Sequence, residues 1–179
     1  GEQRWYAGLS RSVRTPDATE RYIASNGMMP SARWVGNPGL APEVHHQFDL
    51  GLTQQWQRLN LETAVYLNRV NDYVLRDRWV EPMNHASIYR NIDATLIGAE
   101  LRLQFALADG LNAEFGLSSV RGTNQTDDRD LAQIPPLEGL ASLNWHQGAW
   151  TAGAQLQWAA TQDRVDTLSS SGIEGQGLD

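Results

Sequence analysis

The chain has 179 residues, 41% of them hydrophobic, which is enough for one domain with a sizeable buried surface. Its 14 basic and 21 acidic residues give a net charge of −7, which argues against nucleic acid as a partner. The sequence contains no cysteine, which excludes disulfides and thiolate metal sites. It also lacks the run of about 18 apolar residues that a transmembrane helix needs.

Alternating apolar and polar residues predict about seven strands. In chain order, they lie near residues 5–13, 48–53, 59–68, 101–107, 111–117, 137–145 and 150–158. In the clearest one, Leu101, Leu103 and Phe105 share one face, while Arg102 and Gln104 share the other. An α-helix would spread these apolar residues around its circumference, whereas a strand gathers them on one side. No segment has the pattern of an amphipathic helix, so the predicted fold class is all-β.

The connections between the predicted strands alternate in length. Short ones lie near residues 54–58, 108–110 and 146–148, and long polar ones cover residues 14–43, 70–88, 121–136 and 161–179. Soluble β-sandwiches have no such division between their two ends. Transmembrane β-barrels do, with short periplasmic turns and long extracellular loops. The pattern therefore predicts an antiparallel up-and-down meander that forms part of a transmembrane β-barrel.

Charge and tryptophan distribution indicate which strand face meets lipid. Four charged residues of the predicted strands lie on the polar face, namely Glu62, Glu100, Arg102 and Glu114, and the opposite face is almost free of charge. The opposite face carries Leu, Phe, Val and Trp, as expected for contact with outer-membrane lipid. Three tryptophans, Trp56, Trp145 and Trp150, also lie next to short turns. Aromatic residues at that position are typical of an interfacial girdle.

Several segments resemble TonB-dependent outer-membrane receptors. Residues 36–43, Gly-Asn-Pro-Gly-Leu-Ala-Pro-Glu, followed by the strand at 48–52, are similar to the family's Asn-Pro-x-Leu-x-Pro-Glu loop and the strand after it. Further resemblances follow in the family's order at residues 10–16, 66–74, 91–100 and 134–136. The resemblance implies the C-terminal part of a receptor barrel in the outer membrane of a Gram-negative bacterium. Its partners would be lipid, an extracellular metal or metal complex, and the TonB complex.

The resemblance covers only part of a receptor. Residues 1–179 match barrel segments, while the plug domain, the segment that contacts TonB and the terminal aromatic strand residue have no counterpart. The chain also begins without Met or a signal peptide and finishes in a polar, loop-like run. We therefore expect a fragment of a longer receptor, which meets TonB through the absent plug domain.

Residues 20–30 are similar to the copper-receptor branch of this family, which implies copper as a transported substrate. The candidate metal ligands are Met28, Met29, His45 and His46, because thioether and imidazole groups suit Cu(I). Neighbouring residues on a strand alternate, so only one of the two histidines can point into the lumen. The alternatives are that the methionines pack beneath a loop and that the histidines are simply solvated.

The remaining chemistry is sparse. Asp127, Asp128 and Asp130 could offer oxygen ligands to Ca²⁺, but their spacing does not complete a calcium loop, and a charged extracellular loop is the preferred interpretation. No catalytic or cofactor-binding motif occurs, so we predict neither an enzyme nor a resident cofactor.

Two other classes remain as alternatives to the receptor. One is a soluble all-β binding module of the carbohydrate-binding type, which would dissolve without detergent. The other is an autotransporter or adhesin barrel, which should lack the Asn-Pro-x-Leu-x-Pro-Glu motif.

Overall fold

The computed structural model describes residues 1–26, 33–81, 84–131 and 133–166. Its elements in chain order are β1 (Glu2–Arg14), α1 (Ala18–Tyr22), β2 (Ala24–Asn26), β3 (Arg33–Val35), β4 (Glu43–Gln55), β5 (Leu59–Glu81), β6 (Asn84–Ala108), β7 (Leu111–Asn124), β8 (Arg129–Asp130), β9 (Glu138–Gln147) and β10 (Trp150–Ala159). No described segment forms a helix that is long and apolar enough to cross a membrane.

Seven strands form an antiparallel meander. They pair in the order β1-β4-β5-β6-β7-β9-β10, and each neighbouring pair on this path is antiparallel. Among the described strands, the edge strands β1 and β10 do not pair with each other, so the sheet is open. This confirms the predicted all-β fold, an up-and-down meander of about seven strands that makes up part of a barrel.

The three short connections lie at the predicted places, between β4 and β5, β6 and β7, and β9 and β10. Two contain glycines with positive φ, 74° at Gly110 and 60° at Gly148, a conformation that other residues seldom adopt. Because the sheet is an antiparallel meander, all three turns lie at the same end. We call this the turn end and the opposite end, with the long connections, the loop end.

The predicted long connection at residues 70–88 is wrong. Strands β5 and β6 continue through it and pair from Tyr73 with Ile92 to Glu81 with Asn84. A register shift between Val70 and Tyr73, with Asp72 at a φ of 58°, interrupts the two-residue alternation. The interruption makes the segment look irregular in sequence, although its backbone groups pair across the hairpin. Residues 121–136 also begin with strand, since β7 runs to Asn124.

A single-turn helix within the long connection at residues 14–43 was also not predicted. The Asp17 carboxylate accepts a hydrogen bond from the backbone N–H of Glu20, and the Glu20 carboxylate accepts one from the N–H of Asp17. This reciprocal capping box stabilises the first turn of α1, which explains a helix with no buried residue. Strands β2 and β3 follow it, and β3 adds to the free edge of β6.

The register assigns each side chain to one of two faces. Paired residues share a face, and the pairs Leu103 with Phe115 and Leu101 with Leu117 place apolar side chains together. Arg102 and Glu114 lie on the other face, where their side chains form an ion pair at 3.1 Å. We call the face that carries Arg102 and Glu114 the inner face, and the face that carries Leu101 and Leu103 the outer face. The predicted facing of the strands is confirmed, since Leu111 pairs with Trp145 on the outer face.

The buried core lies at the loop end. On the inner face, Val70, Leu75, Ile92 and Ala94 pack with Leu131 from the connection after β8. On the outer face, a second cluster forms where the connection after β1 lies over β5 and β6, and it contains Leu40, Val74 and Tyr89, with Ile23 and Trp34 at its edge. The long connections are therefore anchored to both faces of the extended hairpin.

Candidate functional site

The inner face at the loop end places His45 in a polar cluster. His45 and Glu43 alternate with Val44 on β4, so both point inward, next to Arg14 of β1. The Nε2 atom of His45 is 3.1 Å from a Glu43 carboxylate oxygen, and its Nδ1 atom is 3.1 Å from the amide nitrogen of Asn68. Because the amide nitrogen can only donate, a neutral His45 ring accepts at Nδ1 and donates from Nε2 to Glu43. Both ring nitrogens are therefore hydrogen-bonded.

Glu43 is the centre of this cluster. Its side chain is only 3% exposed and accepts two hydrogen bonds from the Arg14 guanidinium, at 2.6 and 2.7 Å. It also accepts one from the backbone N–H of Val74, beside the register shift in β5. Burial alone would raise the pKa of Glu43, but the hydrogen bonds from Arg14, Val74 and His45 together with the Arg14 charge hold it below its ordinary value.

Arg14 connects the cluster to the helix. It is hydrogen-bonded to both carboxylate oxygens of Glu20, at 3.0 and 3.1 Å, in addition to Glu43. These carboxylate contacts, chiefly those with Glu43, raise its pKa above the ordinary arginine value. The loop that begins at Thr15 is thereby held at the inner rim of the sheet, close to His45.

The residues of the Asn-Pro-x-Leu-x-Pro-Glu loop fix its position on β6. The side-chain amide of Asn37 donates to the carbonyl of Tyr89. The backbone groups of Ala41 exchange two hydrogen bonds with the side chain of Asn91, at 2.9 and 3.1 Å. Leu40 between them is buried at 3% exposure. The motif therefore anchors the loop and delivers Glu43 to the start of β4.

A second polar cluster on the inner face joins five segments of the chain. Asp77 of β5 accepts hydrogen bonds from Arg90 of β6, at 2.7 Å, and from Arg129 of β8, at 2.8 Å. Arg129 also contacts Asp166, in the segment after β10, at 3.1 Å. Asp127, in the turn before β8, binds both arginines. We call these five residues the loop clasp, because they hold the 125–131 turn over the inner face.

Of the four predicted metal ligands, the two histidines lie on opposite faces of β4. Met28 and Met29 lie outside the described residues. His45 is on the inner face with 23% of its side chain exposed, whereas His46 is exposed on the outer face. The expected alternation of the two histidines is therefore observed. Within the described part of the chain, no group of three or more His, Asp or Glu side chains could hold a metal ion.

Sequence reasoning missed the partners of His45 and most of the loop clasp. Glu43 belongs to the recognised motif. Its register partner Arg14 and the amide of Asn68 that contacts His45 are distant in sequence, and only the strand register brings them near. Asp127 was considered as a calcium ligand or as part of a charged loop. Its contacts with Arg90, Arg129 and Asn124 make it a structural anion.

Residues 2–176 match the family described as TonB dependent receptor-like, beta-barrel. The chain belongs to the TonB-dependent receptor family. These proteins are β-barrel receptors and transporters of the Gram-negative outer membrane, which interact with TonB and bind metals or metal complexes. The assignment decides against the soluble binding module. Comparison with curated protein sequences gave no significant match.

Solved structures of receptors share the fold. The copper transporter OprC is 30% identical with a TM-score of 0.80, over 92% of this chain and 25% of its own. The hemophore receptor HasR of Serratia marcescens, solved with its hemophore HasA and heme, is 21% identical with a TM-score of 0.71, over 88% of this chain and 30% of its own.

A ferric enterobactin receptor from Pseudomonas aeruginosa, PfeA, is 17% identical with a TM-score of 0.68, over 88% of this chain and 26% of its own. At these identities, the likeness to HasR and PfeA concerns the fold. The chain spans between a quarter and a third of the length of these three structures.

Proposed function

We propose that this chain is the C-terminal part of the barrel of an outer-membrane receptor that takes up copper or a copper complex. The observation that carries the proposal is the likeness to a copper transporter, at 30% identity and a TM-score of 0.80 over 92% of the chain. The similarity of residues 20–30 to the copper-receptor branch agrees with it. In this proposal, TonB acts through a plug domain that lies outside residues 1–179.

The chain contributes one wall of the transport path. Its outer face meets lipid, and its inner face lines the lumen with charged and amide side chains such as Glu62, Glu100, Arg102 and Glu114. A polar wall allows a hydrated metal or metal complex to pass without the desolvation cost of an apolar surface. The short turns face the periplasm and the loop end faces the extracellular medium, as in other receptor barrels.

Copper capture takes place at the loop end. The loop with Met28 and Met29 begins at the rim held by Arg14, and His45 lies on the inner face of the adjoining strand. Thioether and imidazole ligands favour Cu(I) over the hard cations Mg²⁺ and Ca²⁺. For His45 to bind copper, one of its nitrogens must exchange Glu43 or Asn68 for the metal. The outer-face position of His46 provides a matched comparison within the proposed ligand set.

Copper titration of the purified full-length receptor tests this proposal. We expect the variant with Met28, Met29, His45 and His46 all changed to Ala to bind copper at least tenfold more weakly, while its folding is unchanged. His45→Ala should account for more of this loss than His46→Ala, because only His45 faces the lumen. Unaltered stoichiometry and affinity in the quadruple variant would overturn the ligand assignment. Preferential binding of heme or a ferric siderophore would overturn the copper proposal itself.

A further inference from the structure

Three arginines lie along the outer face at the loop end. Arg11 of β1 pairs with His46 of β4, His46 pairs with Arg69 of β5, and Arg69 pairs with Thr95 of β6. Arg121 of β7 lies two residues from Thr123, the partner of Thr95, and therefore faces the same side. All three arginines are exposed. We call Arg11, Arg69 and Arg121 the outer arginine row.

The row marks the upper limit of an uncharged surface. Between it and the turn end, the outer-face residues of β1, β4, β5, β6 and β7 carry no charge. Arg69 and Arg121 each lie ten residues from the first residue of their strand, Leu59 and Leu111. At about 3.3 Å per residue and a strand tilt of roughly 40°, ten residues rise about 25 Å. That equals the usual height of the apolar band of an outer-membrane barrel, about 25 Å.

The guanidinium groups of the row have no carboxylate partner within residues 1–26, 33–81, 84–131 and 133–166. The arginines of the inner face differ in this respect, since Arg14, Arg90 and Arg129 are all paired with acids. Asp93 also lies on the outer face, two residues from Thr95 towards the loop end, and its carboxylate accepts hydrogen bonds from the Asn71 amide and the backbone N–H of Asp72. The row is thus a strip of uncompensated positive charge.

We propose that the outer arginine row binds the phosphate groups of a phosphorylated glycolipid in the outer leaflet. The inference rests on the lipid-facing orientation in the proposed function. That orientation places the row where hydrocarbon gives way to headgroups. Arginine binds phosphate through two parallel hydrogen bonds, and its long side chain can extend from the strand to the interface. Arg11 and Arg69 are two strand spacings apart, about 10 Å, so neighbouring arginines can engage separate phosphates of one headgroup.

Lipid retention by the full-length receptor tests the proposal. The receptor is reconstituted into vesicles of phosphatidylcholine with lipid A, extracted in mild detergent, and its bound lipid A is counted by native mass spectrometry. The test variant carries Arg11→Gln, Arg69→Gln and Arg121→Gln. Each arginine near a charged membrane surface contributes a factor of about five, so lipid A binding should weaken on the order of 100-fold. Dephosphorylated lipid A should bind the wild-type receptor as weakly as lipid A binds this variant.

The matched control loses the same charge elsewhere. Arg4→Gln, Arg58→Gln and Arg102→Gln remove three cations from the turn end and the inner face, and this variant should retain lipid A like the wild type. If the test variant does not fold, a salt titration of the wild type takes its place, and retention should decrease steeply as ionic strength rises. Retention that is independent of salt would overturn the proposal.

The other outcomes are equally decisive. Equal lipid A retention by the wild-type receptor and the test variant would overturn the proposal, and so would equal retention of the dephosphorylated lipid. Displacement of lipid A by millimolar inorganic phosphate would make the row a general anion site and overturn a headgroup contact. Copper titration of the same samples separates the two proposals. A wild-type receptor that binds no copper but still distinguishes lipid A from its dephosphorylated form would refute only the copper proposal.

Discussion

The outward orientation of the apolar face can be tested at Leu103. This residue lies on the outer face of β6, opposite Phe115, and five residues from Ala108 at the end of the strand. At about 3.3 Å per residue and a tilt of roughly 40°, it lies about 13 Å from the turn end, near the middle of a band about 25 Å high. Arginine at that depth costs about 2–4 kcal/mol, a factor of roughly 30 to 1,000 in the folding equilibrium.

The matched control is one residue away. Gln104→Arg adds the same charge to the same strand, but on the inner face, where Gln104 lies close to Asn60 and opposite Glu114. We expect this change to alter the free energy of unfolding by less than about 1 kcal/mol. The assay refolds the full-length receptor into phosphatidylcholine vesicles and measures the guanidinium midpoint by the gel shift of unheated samples. Equal destabilisation by Leu103→Arg and Gln104→Arg would refute the assignment of the two faces.

Two further predictions concern the loop clasp and a glycine under an aromatic ring. Burial alone would raise the pKa of Asp127, but hydrogen bonds from Arg90 and Asn124 and the arginine charges lower it below 3.8. The ionised Asp127 therefore stabilises the folded loop fully above pH 3.8, and this stabilisation is lost as the pH falls through the lower folded-state pKa. Asp127→Asn should therefore lower the hydrogen-exchange protection factors of residues 124–131 at pH 7 to values that the wild type shows only in acid, whereas Asp128→Asn should not. At Gly98, an added Cβ would lie 2.2 Å from the Tyr66 ring. Gly98→Ala should therefore lower the free energy of unfolding, measured by denaturant titration, by about 1–3 kcal/mol. Adding Tyr66→Ala to Gly98→Ala should relieve that loss. Gly116→Ala should not change the free energy of unfolding, because the nearest atom to its added Cβ would be 3.8 Å away. Equal effects of alanine at the two glycines would contradict the observed packing.

The strand faces were predictable because one side of the sheet is apolar and the other polar over ten or more residues. In the pairs Leu101 with Leu117 and Leu103 with Phe115, the two-residue period alone assigns the outer face. The short turns were predictable for a similar reason, since Asp109-Gly110 and Gly148 supply residues suited to a tight hairpin. These are local features of the chain, which a single sequence contains in full.

The loop end was less predictable because its stability depends on long-range contacts. The extended hairpin of β5 and β6 shifts register after Val70, so its apolar residues do not continue the earlier alternation. The contacts of Asp77 with Arg129 and of Arg14 with Glu43 join residues 52 and 29 positions apart, respectively. Only the register of the meander brings these charges together. For the same reason, the sequence predicted His45 as a ligand but not the hydrogen bonds that occupy its ring.

Copper uptake by cells is the most direct test of the central claim. Cells that express the full-length receptor should accumulate copper from a limiting supply only when both the receptor and TonB are present. The quadruple Ala variant should reduce this uptake while the receptor remains in the outer membrane. TonB-dependent uptake of heme or of a ferric siderophore by these cells, without any receptor-dependent uptake of copper, would contradict the account.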